Sequence, residues 1–373
     1  MQAILLLAFR PDCAIIGACG SKGQKSERMT GMEQMRRVRT TLKDIANACG
    51  YSVNTVSRAL RGDKRLSKAT RSLIQETARS MDYIPNTMAS SLRSGRSRMI
   101  AVIVNDLHNQ HFCDLLNRMD RDLRDQNYNL MILCMHLEET LAGELIHTAI
   151  SLSVDGILYF PNFGQRHYIE YMTDSGVPFV LLDRRVNEVD ADTVRCDDEQ
   201  GGYLAGQHLA ALGHRRFLFL SGMELSSSQI DRLSGFRRAL RDSGLPDDCV
   251  RVVPGADVED ALAHNTLASF ILPRDYTAIV SFRDEVAYPV MNALRDHGLS
   301  IPQDVSIISF DNLHAEDPSR PFLTSIYAAD ENIAEISVRL LLERIEDPML
   351  PPRNIVLPVR IFDQGTTAPP PHA

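Results

Sequence analysis

No apolar stretch in the 373-residue sequence approaches the roughly 18 residues that a membrane-spanning helix needs, which excludes a helical membrane protein. The apolar start at residues 3–9 has no basic region before it, which argues against a secretory signal. The seven cysteines, at 13, 19, 49, 113, 134, 196 and 249, contain no CxxC and no disulfide framework, as expected of free thiols in a reducing cytosol. Also missing are HExxH, GxSxG and a glycine-rich dinucleotide fingerprint after a strand, the usual signatures of an enzyme on a doubly wound fold. Residues 17–23 are rich in glycine and lysine but lack the Gly-Lys-Ser/Thr ending of a phosphate loop. His108 and His111 form HxxH without Cys or Glu support, so neither a metal nor a cofactor is expected. The C-terminal region has no leucine heptads for a tetramerising coiled coil, which leaves a homodimer as the default.

The length exceeds what one hydrophobic core usually holds, so two or three domains are expected. An apolar content of 44% with 6% aromatics fits a soluble globular chain. The net charge of −8 conceals a division. Residues 33–98 hold 14 Lys+Arg against 5 Asp+Glu, a net of +9, while residues 99–373 hold 22 against 41, a net of −19. A basic head on an acidic body suggests a head that meets phosphate.

Within that head, residues 41–60 read as two short helices around a turn. Leu42, Ile45, Ala46 and Cys49 make one apolar stripe, and Gly50 stops the first helix. Ser52 can cap a second helix whose Val56 and Leu60 face the first. That leaves Val53, Asn54, Thr55, Ser57, Arg58 and Arg61 outward. Such a set suits a major groove, since Asn pairs with adenine, Arg with guanine, and an apolar group meets the thymine methyl. Ser67 caps an amphipathic third helix to Met81, with apolar positions at Ala69, Leu73, Ile74, Thr77, Ala78 and Met81.

The run TLKDIANACGYSVNTVSRAL, followed by Leu66-Ser67, Arg71 and Tyr83-Ile84-Pro85-Asn86, resembles the start of the lactose/galactose-repressor (LacI/GalR) family of bacterial transcription regulators. In weaker form the resemblance continues to about Thr367. It implies a three-helix helix-turn-helix head (residues 40–84), a hinge helix and linker (85–98) and a two-lobed effector-binding and dimerisation domain (99–367), with a short disordered tail at 368–373. The partners it implies are a near-palindromic double-stranded DNA operator, a sugar or sugar-acid effector and a second copy of the chain. Thr41 and Asn86 join the DNA-contacting set. Leu92 is expected to insert between base steps, Ala89 to let two hinge helices approach, and Arg93, Arg96 and Arg98 to sit near phosphates. Leu92 would otherwise contact the neighbouring domain. Residues 1–39 fall outside the pattern: either translation begins at Met29, Met32 or Met35, or the segment is a disordered basic arm.

From Met99 onward, apolar runs alternate with helical patterns, which predicts two α/β lobes with parallel sheets, similar to periplasmic sugar-binding proteins. Expected strands are 99–104, 130–134, 156–160, 178–182, 216–221, 250–253, 276–282 and 305–310. One helix is expected over 260–272, and a last one, 332–346, is expected to return to the first lobe. Ligands in such sheets lie at the carboxyl ends of the strands. That places Asp106, His111, Phe112, Asp183, Arg184, Ser226, Ser228, Arg232, Arg283, Asp284 and Asp311 at the cleft. Carboxylates, an Arg and an aromatic suit a polyhydroxylated ligand. Asp183 and Asp284 could equally cap the next helix, and Phe112 could belong to the core. Arg283 stands where relatives binding neutral sugars usually have Asn, which points toward an anionic effector. The competing readings are a cytosolic sugar sensor without a DNA role and an enzyme on a doubly wound fold.

Overall fold

The computed structural model describes residues 40–84, 95–107, 110–136, 138, 140–162, 165–186, 189–222, 226–272, 275–313, 322–328 and 333–371. The chain divides into two units, with the boundary after Arg93. In the first unit, α1 (Leu42–Cys49) begins at Thr41, and α2 (Val53–Leu60) and α3 (Lys68–Ser80) begin at the expected caps, Ser52 and Ser67. Gly50 ends α1 in the left-handed region at φ 73°, where a missing Cβ removes the steric cost. Ile45, Ala46, Val56, Ala59, Ile74 and Ala78 form the core. Ala69 and Leu73 do not join it; Leu73 is 48% exposed, because the buried stripe of α3 runs through Ile74 and Ala78, one turn apart.

The second unit holds two six-stranded sheets. The first lobe begins with β1 (Met99–Val104), α4 (Gln110–Asp125), β2 (Asn129–Cys134) and α5 (Leu141–Ser151). It continues with β3 (Gly156–Tyr159), α6 (Arg166–Ser175), β4 (Phe179–Leu182) and β5 (Thr193–Cys196). The second lobe runs through α7 (Asp198–Ala211), β6 (Phe217–Leu220), α8 (Ser227–Asp242) and β7 (Val250–Val253). Then come α9 (Gly255–His264), α10 (Ala268–Ile271), β8 (Ala278–Ser281), α11 (Asp284–Asp296), β9 (Ser306–Phe310) and β10 (Ser325–Tyr327). The chain returns with α12 (Ile333–Glu346) and β11 (Asn354–Leu357), then crosses again for β12 (Arg360–Phe362).

The sheet orders are β11-β5-β4-β3-β1-β2 and β12-β10-β9-β8-β6-β7. All neighbours are parallel except β10 and β12. Alternating side chains of β1 show why both faces are covered. Ile100, Val102 and Val104 pack with α4 and α12, while Ala101 and Ile103 pack with α5 and α6.

The helix expected over 260–272 is two helices, because Asn265 closes α9 at φ 55°. Strands β5 (TVRC), β10 (SIY), β11 (NIVL) and β12 (RIF) mix polar with apolar residues and do not stand out as buried runs. Pro358 splits the apolar run 355–361, so that β11 joins the first sheet and β12 the second. Order also continues past the expected boundary at 367: Ala368 accepts from Ser306 Oγ at 3.0 Å and donates its N–H back to it. Residues 1–39, most of the expected hinge (85–94) and His108 lie outside the described residues.

Candidate nucleic-acid interface and ligand cleft

The head builds its outward face from two caps. Thr41 accepts the N–H of Asp44 while the Asp44 carboxylate accepts the N–H of Thr41 at 2.9 Å, a capping box. Its hydroxyl, expected at DNA, also donates to Asp44 at 2.7 Å. Ser52 accepts from the N–H of Thr55 at 3.1 Å, and the two hydroxyls lie 2.9 Å apart. With Val56 and Ala59 buried beneath, Val53 (44% exposed) and Asn54 stand outward on the first turn of α2. Arg58 donates from Nε to Asp63 at 2.9 Å, and Arg61 from Nε to the Ser57 carbonyl at 3.2 Å. The hydrogen bonds from Arg65, then that from Arg58, hold the Asp63 carboxyl well below the usual carboxylate range. Asn86, Ala89, Leu92 and Arg93 lie outside the described residues.

In the first lobe the strand order reverses at β1 and β3, in the second at β6 and β8. Such switch points open a crevice at the carboxyl ends of the strands. The expected residues lie just past strand ends or in the first two turns of the helices that follow. At the centre Arg232 of α8 is 9% exposed. Its Nε donates to Asp198 at 2.7 Å, Nη1 donates to the Phe282 carbonyl at 2.7 Å, and Nη2 lies 3.6 Å from Asp311. The guanidinium carbon sits 4.4 Å from the ring centroid of Phe310 and 4.9 Å from that of Phe282. Burial works against the charge, but Asp198, Asp311 and Asp183 more than offset it and raise the Arg232 pKa. Burial raises Asp198, against the pull of Arg232.

Two helices hold this pair in register. A Cβ on Gly202 of α7 would lie 1.9 Å from the Arg232 carbonyl oxygen, and one on Gly235 of α8 would lie 1.9 Å from that of Glu199. Backbone meets backbone at both crossings, which only glycine permits.

The remaining expected residues divide by role. Asp284 is not a cap: Arg283 holds that position, without a side-chain bond. Asp284 is buried and accepts from the Leu313 N–H at 2.7 Å and the Ser325 hydroxyl at 2.9 Å. Burial, with Asp311 adding to it, pushes its carboxyl well above the usual range. Asp183 is not a cap either. At φ 66° its N–H reaches the Val194 carbonyl at 2.8 Å, and its own carbonyl accepts from Ser228 Oγ at 3.3 Å. Ser226 caps α8 through the N–H of Gln229. Arg184 donates to the Pro161 carbonyl and to Asn162 Oδ1. Phe112 is core, edge-on to Phe160 at 4.9 Å, with the His111 ring tilted against it 5.8 Å away. Asp106 is half-buried just past β1. Arg283 is met by Glu259 at 2.8 Å and Glu285 at 3.5 Å, so its charge is already balanced.

Besides the Ser228–Asp183 bond, further contacts among the described residues fasten the lobes across the crevice. Glu285 accepts the N–H of Gln110, the first residue of α4, at 2.6 Å. Arg185 donates its N–H to Ser227 Oγ at 2.8 Å and pairs with Asp231 at 3.1 Å. Sequence reasoning missed Asp198, Phe282, Phe310, Glu259 and Glu285. Asp198 follows β5, whose TVRC is not an apolar run, and the other four gain meaning only from proximity.

The family models match in two places. Bacterial regulatory proteins of the lacI family match residues 41–86, and the periplasmic binding protein-like domain matches residues 207–367. Catabolite control protein A from Priestia megaterium is 29% identical over 87% of this chain and 99% of its own length. The HTH-type transcriptional repressor PurR from Actinobacillus pleuropneumoniae serotype 3 is 27% identical over 82% of this chain and 91% of its own. These relatives are transcriptional regulators rather than enzymes. Among solved structures, a LacI family transcriptional regulator from Enterococcus faecium with bound ribose is 30% identical, with TM-score 0.63 over 73% of this chain and 99% of that one. The lac repressor dimer bound to operator shares the fold at TM-score 0.75 and 22% identity, over 88% of this chain and 99% of that one. None of the described helices is long and apolar enough to cross a membrane. The chain therefore belongs to the LacI family of DNA-binding transcriptional regulators.

Proposed function

We propose that this regulator is a cytoplasmic repressor that binds a near-palindromic operator as a homodimer and answers to an uncharged sugar in the crevice between its lobes. In the head, Val53, Asn54, Thr55 and Ser57 touch base edges, and Arg58 and Arg61 act after exchanging their present acceptors for base or phosphate. Thr41 and Ser52 serve DNA binding by capping the helices that present this face.

The observation that carries the effector reading is the Arg232 cluster. A guanidinium clamped by two carboxylates and flanked by two aromatic faces is a preorganised donor at the strand ends. Asp106, Asp183 and Asp311 add acceptors for sugar hydroxyls, with Ser228 and Arg184 alongside. The balanced charge of Arg283 removes the reason to favour an acid or a phosphate. The Enterococcus faecium relative holds ribose, and a cellobiose complex of the regulator CelR is also similar in fold.

The test is selection of bound sites from random DNA, repeated with neutral sugars, sugar acids and sugar phosphates. A preferred inverted repeat released or tightened by a neutral sugar is expected. A response to acids or phosphates alone would overturn the effector class, and no preferred sequence would overturn the repressor reading.

A further inference from the structure

One carboxylate grips the chain where it enters the ligand domain. Asp155, just before β3, accepts the Ser97 N–H at 2.6 Å and the Ser97 hydroxyl at 2.8 Å through Oδ1, and the Arg98 N–H at 3.1 Å through Oδ2. Around it, the Arg98 carbonyl accepts the Asn129 N–H at 2.8 Å, and the Arg98 guanidinium lies 5.0 Å from the centre of the Tyr128 ring. Arg98 itself sits at φ 57°, a conformation L side chains rarely adopt. A strained residue persists only where its surroundings over-determine it, and such sites concentrate at functional positions. Here three donors meet one carboxylate in a bend at the N-terminal edge of the second unit. Next to this bend Arg96 pairs with Glu346, the final residue of α12, whose N-terminal end is fed from β10 in the second lobe.

We propose that Asp155 is a positioning residue for DNA binding. By holding residues 97 and 98 in this bend it fixes the direction in which the chain leaves the ligand domain for the head. The Arg96–Glu346 pair ties the same bend to the C-terminal end of α12, which packs on the first sheet. The physical gain is preorganisation: an anchored tether has less freedom to lose when two heads must meet one operator.

The test uses the full-length chain and an operator obtained by selection from random DNA, read by fluorescence anisotropy at two salt concentrations. Asp155→Ala is compared with the wild type and with Asp304→Ala, which removes a carboxylate that accepts the Ser300 N–H in a surface turn. Hydrogen exchange follows the Ser97 and Arg98 amides. The proposal requires slow exchange there in the wild type and fast exchange in Asp155→Ala. It also requires operator affinity to fall about tenfold while the salt slope stays the same, because the phosphate contacts are unchanged. Exchange in the head should not move. Asp155→Asn, which keeps one acceptor oxygen, should fall between, and it carries the comparison if the alanine variant does not fold. Unprotected amides in the wild type would overturn the proposal. So would full operator affinity in a variant whose Ser97 and Arg98 amides have lost protection.

Discussion

Replacing Gly202 with alanine adds one methyl group where there is no space. The new Cβ would lie 1.9 Å from the carbonyl oxygen of Arg232, 2.7 Å from its carbon and 2.9 Å from its Cα. A close C···O contact is about 3.3 Å, so α8 must retreat by about 1.4 Å. Forcing atoms into a packed interior costs about 1–3 kcal/mol, and a collision with backbone belongs at the upper end. Alanine recovers about 1 kcal/mol of helix propensity, leaving a net loss of about 2 kcal/mol. For a domain of this size that lowers the melting temperature by about 4–8 °C. A retreat of that size also breaks the 2.7 Å bond between Arg232 and Asp198, so the response to effector should fail while operator binding persists. Gly201 is the control. Its Cβ would meet only side chains, Phe310 at 3.2 Å, Ile326 at 3.3 Å and Val359 at 3.5 Å, which can shift by tenths of an ångström. Gly201→Ala should therefore melt near or above the wild type. Calorimetric scans of the three proteins decide the matter: if Gly202→Ala melts within about 1 °C of Gly201→Ala, the close crossing of α7 and α8 is not rigid and the reasoning fails.

Asn54→Ala should cost about 1–3 kcal/mol of affinity for the selected operator and relax preference at one base position, with the salt slope unchanged, as measured by gel shift against a panel of single-base variants. Asp192→Asn should lower stability by about 3 kcal/mol, read as a lower urea midpoint at constant m-value, because this buried carboxylate accepts from Arg344 at 2.9 Å and from the Arg353 N–H at 2.9 Å. Burial lowers the pKa of His214 from its ordinary 6.5, so below that pH the unfolded chain binds the extra proton and stability is lost on acidification. His214→Gln should flatten the fall in urea midpoint between pH 7 and pH 5. Asp284 and Glu285, whose pKa values are raised, contribute the opposite slope in both proteins and cancel in the comparison.

The head could be read almost entirely in advance, because its signals are local. Caps at Ser52 and Ser67 and the stop at Gly50 act within a few residues of themselves. Leu73 was misplaced because apolar residues on two adjacent faces of one helix look alike until the partner helix is known. In the body, long runs such as 99–104 announced themselves, while β5, β10, β11 and β12 owe their existence to neighbours far away in sequence. The cleft shows the same division. Arg232 could be placed at the cleft from the strand end before it, but the meaning of Arg283 depends on Glu259 and Glu285. A charge read in isolation suggested an anionic effector. The same charge with its two partners does not.

The double return of the chain has a consequence for synthesis. The first sheet lacks its edge strand β11, and one of its faces lacks α12, until residues 333–357 exist. A growing polypeptide that ends before them leaves Leu158, Val180, Leu182 and Val194 without their cover. The first lobe is thus begun early and finished almost last, after most of the second has emerged from the ribosome. Premature termination before Leu357 should yield an aggregation-prone fragment rather than a smaller working protein.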